Sequence, residues 1–95
     1  MAVNPLVDSR DVRFVLFELL KVDSLARFEK FSEFDRETME ASLDLAEQIA
    51  VNIVFPANIQ GDKEGGVRYV PDTKEVHVPE CYRPALKAYH DAGFL

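Results

Sequence analysis

The sequence is short of the residues from which reactive sites are most often built. Cysteine occurs once, at Cys81, which excludes an intrachain disulfide and fits a reducing compartment. Histidine occurs only at His77 and His90, too few to suggest a histidine-based metal site. Basic side chains are outnumbered: 11 Lys and Arg face 17 Asp and Glu, for a net charge of -6. That balance argues against the clustered positive surface needed to bind nucleic acid, and it disfavours anionic membranes. No apolar run approaches the roughly 20 residues that span a bilayer. No basic segment followed by an apolar stretch and a small-residue cleavage site opens the chain. Repeats and low-complexity tracts are absent. The expectation is a soluble, cytoplasmic protein.

What is present is apolar density. Hydrophobic residues make up 47% of 95 residues, enough for one domain with a modest core. The density peaks in residues 10–20. From Val12 to Leu20 only Arg13 and Glu18 are not apolar. A surface helix needs one apolar stripe, but this segment is apolar around most of its circumference. It calls for neighbours on more than one side, and a chain of this size has few to give.

The pattern predicts a mainly α fold, with helices over about 9–21, 35–57 and 82–92 and a minor β-hairpin over about 67–78. Residues 1–7 read as an extended lead-in. Asp8 or Ser9 caps the first helix, with Asp11 in the first turn. Phe28, Phe31 and Phe34 recur at three-residue spacing in a short connector that is expected to pin their rings into the core. Asp35 opens the second helix as its N-cap. Its apolar stripe runs through Met39, Leu43, Ala46, Ala50, Ile53 and Ala57, with Glu40, Asp44, Glu47 and Gln48 on the solvent face. The polar face fades toward Phe55, so this helix is expected to end buried, with Pro56 kinking or stopping it. Residues 58–66 read as loop. The turn at 71–74 joins two alternating, β-prone runs into the hairpin. In the last helix Leu86 and Tyr89, with Tyr82, Ala85 and Ala92, make the inner face. Gly93 and Phe94 supply a glycine cap and its apolar contact.

No constellation of these residues supports catalysis. The segment 61–66, Gly-Asp-Lys-Glu-Gly-Gly, lacks the order and the strand–helix setting of a phosphate loop and reads as a flexible connector. His77 and His90 have no ligand partners at metal-binding spacing. His77 is expected to face solvent. Cys81 precedes a helix N-terminus, a setting that lowers a thiol pKa, but no orienting histidine accompanies it, and it reads as a semi-buried small residue. Glu37, Glu40, Asp44 and Glu47 share a helix face without the Glu-x-x-His partners of a di-metal site, and read as a solvated surface. Catalytic, cofactor-binding and metal-binding residues are therefore all expected to be none.

Taken in order, four segments resemble the N-terminal part of a bacterial acyl-CoA dehydrogenase carrying an extra segment before its helical N-terminal domain. The first is residues 10–20. The second is Phe34-Asp35-Arg36-Glu37-Thr38 and the helix behind it. The third is Pro56, Asn58 and Gly61-Asp62. The fourth is Val78-Pro79, Tyr82, Ala85 and Lys87-Ala88-Tyr89, leading to Asp91-Ala92-Gly93-Phe94. Three features depart from the family: Pro84 stands where a helix former is usual, Cys81 where glycine is common, and the hairpin is longer. The resemblance implies a single-domain fragment, with 1–34 an extension and 35–95 the start of the N-terminal α-domain. It implies a larger FAD-dependent oxidoreductase in which a carboxylate base takes the α-proton of an acyl-CoA and the flavin takes the β-hydride. The base and flavin site of such an enzyme have no counterpart here, so FAD belongs to the full-length parent. Its implied partners are the rest of the parent polypeptide, further copies of itself and the acyl-CoA substrate, with neither nucleic acid nor membrane. The alternative is a stand-alone helical protein–protein interaction module.

Overall fold

A computed structural model describes residues 4–94. The first three residues of the lead-in expected over residues 1–7, and Leu95, lie outside the described residues. The elements are α1 (Ser9–Arg13), a π-helical segment (Phe14–Leu19), 3-10 turns (Val22–Arg27 and Glu29–Phe31), α2 (Arg36–Ile49), a second π-helical segment (Ala50–Val54), α3 (Phe55–Lys63), β1 (Arg68–Val70), β2 (Glu75–His77) and α4 (Tyr82–Asp91). The mainly helical class with a minor two-stranded hairpin is thus as the sequence predicts. The chain divides into two compact units, residues 1–46 and 47–95, at a boundary inside the last turn of α2.

In the first unit, Asp8 caps α1 by accepting from the Arg10 and Asp11 amides. The helix then widens. The Leu20 amide donates to the Val15 carbonyl, five residues back, at 2.9 Å. Lys21 ends it in a left-handed conformation, φ 52°. Phe17 is the one buried side chain of this helix. The Arg36 guanidinium lies 4.6 Å from its ring centroid, and Arg13 pairs with Asp44. Phe14, Leu19 and Leu20 stay more than half exposed, as the apolar surplus of the segment anticipates. The aromatic connector departs from expectation: Phe28 is 48% and Phe34 49% exposed, and Phe31 is exposed as well. Phe28 is extended between the two 3-10 turns, Phe31 ends the second turn and Phe34 lies beyond it, so the three-residue spacing does not gather the rings onto one buried face. Arg27 and Lys30 lie over Phe28 and Phe31 instead, at 4.8 and 5.5 Å.

Asp35 caps α2 as predicted. Its carboxylate accepts from the Thr38 amide at 2.9 Å, and its carbonyl accepts from Met39. The stripe through Met39, Leu43 and Ala46 is half-buried, and Ile49 is buried.

In the second unit, Pro56 neither stops nor ends the helix. Within an α-helix its ring would strike the carbonyl four residues back, that of Asn52. The preceding turn is π-helical, with the Phe55 amide donating to Ala50, and Pro56 sits at the start of α3, where its missing N–H costs least. Residues 58–63, expected to be loop, are therefore helical. Gly65 and Gly66 form the helix cap rather than a free connector. The Gly66 amide donates to the Gly61 carbonyl at 2.8 Å and the Gly65 amide to the Asp62 carbonyl at 3.0 Å. The burial expected toward Phe55 is only partial: Ile49 is buried and Val51 and Phe55 are half-buried, while Ile53 and Val54 are exposed.

The hairpin pairs Arg68 with His77, Tyr69 with Val76 and Val70 with Glu75. Its turn closes through a hydrogen bond that the Lys74 amide donates to the Val70 carbonyl, with Lys74 at φ 61°. The end of α4 is as predicted: Gly93 has φ 86°, its amide donates to His90, and the Phe94 amide donates to Tyr89. The Phe94 and Tyr89 rings stack at 5.6 Å, which completes the cap with an apolar contact.

Candidate functional site

The feature of the second unit best suited to receive a ligand or partner is a groove. Val54, Ala57 and Asn58 form one wall, and Tyr82, Ala85, Leu86 and Tyr89 of α4 form the other. Its volume is about 450 Å³. Small side chains shape it: Ala57 and the buried Ala85 keep both walls slim. Gly61 does more. A Cβ there would meet Tyr82 Cζ at 2.6 Å, well inside van der Waals contact. The missing side chain lets the tyrosine ring lie on the helix backbone, which gives a glycine inside a helix a packing role. The lining is predominantly apolar. Asn58 and the tyrosine hydroxyls are its polar side-chain groups. It suits an apolar side chain or chain segment and holds no nucleophile or general base. Leu86, expected on the inner face of α4, is 55% exposed on the groove wall, while Ala85 takes the buried position.

Cys81 stands beside this groove as the residue before α4. Its thiol donates toward the Ala57 carbonyl at 3.6 Å and Glu64 Oε2 at 3.5 Å. Burial, and then the hydrogen bond and negative charge of Glu64, push the thiol pKa up. The lowering expected from a helix N-terminus does not prevail, because the sulfur faces acceptors and a carboxylate. This is a poor nucleophile.

The other candidates do not converge. His77 is exposed and its Nε2 lies 3.1 Å from Glu75 Oε2, a neighbour on the same strand face. His90 is exposed and meets the edge of the Tyr89 ring. On α2, Glu40 pairs with Arg36 at 3.6 Å and Asp44 with Arg13, so two acids of the supposed solvated face have cationic partners. A cleft of mixed lining and about 500 Å³ lies between the α3 cap and the hairpin, with Glu64, Arg68 and His77 beside Val67, Val78 and Pro79. Among the described residues, no group of three or more His, Cys, Asp or Glu is placed to hold a metal ion. No described helix is long and apolar enough to cross a membrane. The groove itself was missed at the sequence level. Its signal was the pair Gly61 and Tyr82, concealed because Gly61 lies in a run that reads as loop.

No family model and no solved structure matches the chain. Two curated proteins do. Over 85 residues the chain is 32% identical to the broad-specificity linear acyl-CoA dehydrogenase FadE5 of Mycobacterium tuberculosis, an alignment covering 90% of this chain and 14% of that protein. Over 91 residues it is 26% identical to butyryl-CoA dehydrogenase of Syntrophomonas wolfei, covering 95% of this chain and 15% of that protein. The chain is a distant, partial homologue of acyl-CoA dehydrogenases, and it spans about 14–15% of the length of these curated relatives.

Proposed function

We propose that this chain is the N-terminal structural portion of a FAD-dependent acyl-CoA dehydrogenase, residues 1–34 being an extension and 35–95 the start of the helical N-terminal domain. The 32% identity to one such enzyme across 90% of the chain carries the reading. The exposed apolar residues Leu19, Leu20, Val54 and Leu86 support it, since a fragment leaves such faces uncovered. The α,β-dehydrogenation of acyl-CoA thioesters, with its flavin site and catalytic base, is assigned to the parent, and the segment to a structural role that is inactive alone. The flavin would act as hydride acceptor there. A cytoplasmic, homo-oligomeric parent in fatty-acid or related acyl-CoA metabolism, binding neither nucleic acid nor membrane, completes the proposal.

The test is to express the whole reading frame that contains this sequence in flavin-replete cells. The purified product is expected to be yellow and to reduce an electron-accepting dye when given acyl-CoA. A colourless, inert full-length protein overturns the assignment. The same exposed residues favour a second reading, a stand-alone helical interaction module. A reading frame that stops after Leu95 would support that reading over the first.

A further inference from the structure

We propose that the π-helical turn at Ala50–Val54 is a register key: it holds one residue more than an α-helix would use, and so sets the phase in which α3 meets α4. Three observations within the second unit carry this. The Phe55 amide donates to Ala50, five residues back rather than four. Pro56 follows at once, and its ring is incompatible with an α-helical carbonyl at Asn52, so the turn is held from closing into α form. Five residues later Gly61 lies against Tyr82, at the one position of α3 that lacks a side chain. Each α-helical residue turns the helix by about 100°. If the extra residue were absorbed into α form with the sequence unchanged, α3 would rotate by about that angle, and Gln60 would take the place of Gly61 against Tyr82. The groove exists because of the phase. The inference does not depend on the family reading.

The test uses the 95-residue chain and the NOE between Gly61 Hα and the Tyr82 ring protons, with circular dichroism reporting helix content. Deleting Asn52 together with Pro56→Ala removes the extra residue and the block, leaving a continuous α-helix in the same downstream phase. The NOE is expected to persist at unchanged helix content. Inserting one alanine after Asn52 is expected to abolish it while the helices remain. Pro56→Ala alone releases the key and is expected to weaken the NOE. A helical deletion variant without the NOE, or an insertion variant that keeps it, overturns the proposal. Should the deletion variant not fold, the insertion variant decides. An NOE undiminished in Pro56→Ala overturns the role given to the proline.

Discussion

Asp35 and Cys81 show how one neighbour decides what a titratable side chain does. The Asp35 carboxylate accepts the backbone and side-chain hydrogen bonds of Thr38, which hold its pKa below the usual carboxylate value. The folded state therefore prefers the charged form, while the unfolded chain binds its proton at the ordinary value. Stability from this cap is fully present above the ordinary carboxylate pKa and is lost as pH falls through the lowered one. Asp35→Asn keeps an acceptor at the N-cap without titrating there. Thermal melts are expected to show wild type losing Tm relative to Asp35→Asn as the pH drops through the carboxylate range. Asp35→Ala should be the least stable at neutral pH, with its deficit from wild type shrinking in acid. A deficit that does not change with pH would contradict the assigned cap. At Cys81 the shift has the opposite sign: burial and Glu64 favour the neutral thiol. Alkylation by iodoacetamide at neutral pH, followed by mass spectrometry, is expected to be slower than for a free thiol. Glu64→Gln should speed it up. An unchanged rate in Glu64→Gln would remove the carboxylate from the explanation.

At the scale of elements the Gly61–Tyr82 contact yields a sign reversal. Alanine in place of glycine inside a helix stabilises by about 1 kcal/mol on propensity alone. Here the added methyl overlaps the tyrosine ring, and forcing a packed neighbour aside costs about 1–3 kcal/mol. Gly61→Ala is expected to destabilise wild type yet to stabilise a Tyr82→Ala background, as read from urea denaturation of the four proteins of the cycle. The same sign in both backgrounds would mean the ring moves aside freely. The contact also marks where sequence reasoning failed. Caps were legible because each rests on one residue type at one offset: Asp35 before α2, Gly93 and Phe94 after α4. The 71–74 turn was legible for the same reason. Pro56 was misread because its effect depends on a π turn set by backbone bonding, which side-chain periodicity does not reveal. That error turned helical 58–63 into loop and hid the cap at Gly65 and Gly66 together with the seat of Tyr82. The phenylalanines at 28, 31 and 34 were misplaced because a three-residue spacing implies a shared face only within a continuous turn, and here only Phe31 lies inside one.

For the molecule as a whole, exposed area speaks most directly to function. In the first unit, Leu19 is 65% and Leu20 61% exposed. This is the surplus already visible in the run of apolar residues from Val12 to Leu20. If the chain is part of a dehydrogenase, those leucines are covered in the parent, and a charge placed there has opposite consequences in the two settings. In the isolated chain, Leu19→Glu with Leu20→Glu alters only exposed positions, and each change is expected to move stability by no more than about 0.5 kcal/mol. In the full-length parent the same pair would strand two unpaired carboxylates in an apolar interface, which is strongly destabilising. Thermal melts of both proteins, each with and without the pair, separate the cases. Tm should be nearly unchanged in the short chain, while the parent should lose several degrees or yield little soluble protein. Equal tolerance in both would leave the face uncovered in the parent. An equal loss in both would make Leu19 and Leu20 part of this segment's own core, and the apolar run would then be no sign of a missing neighbour.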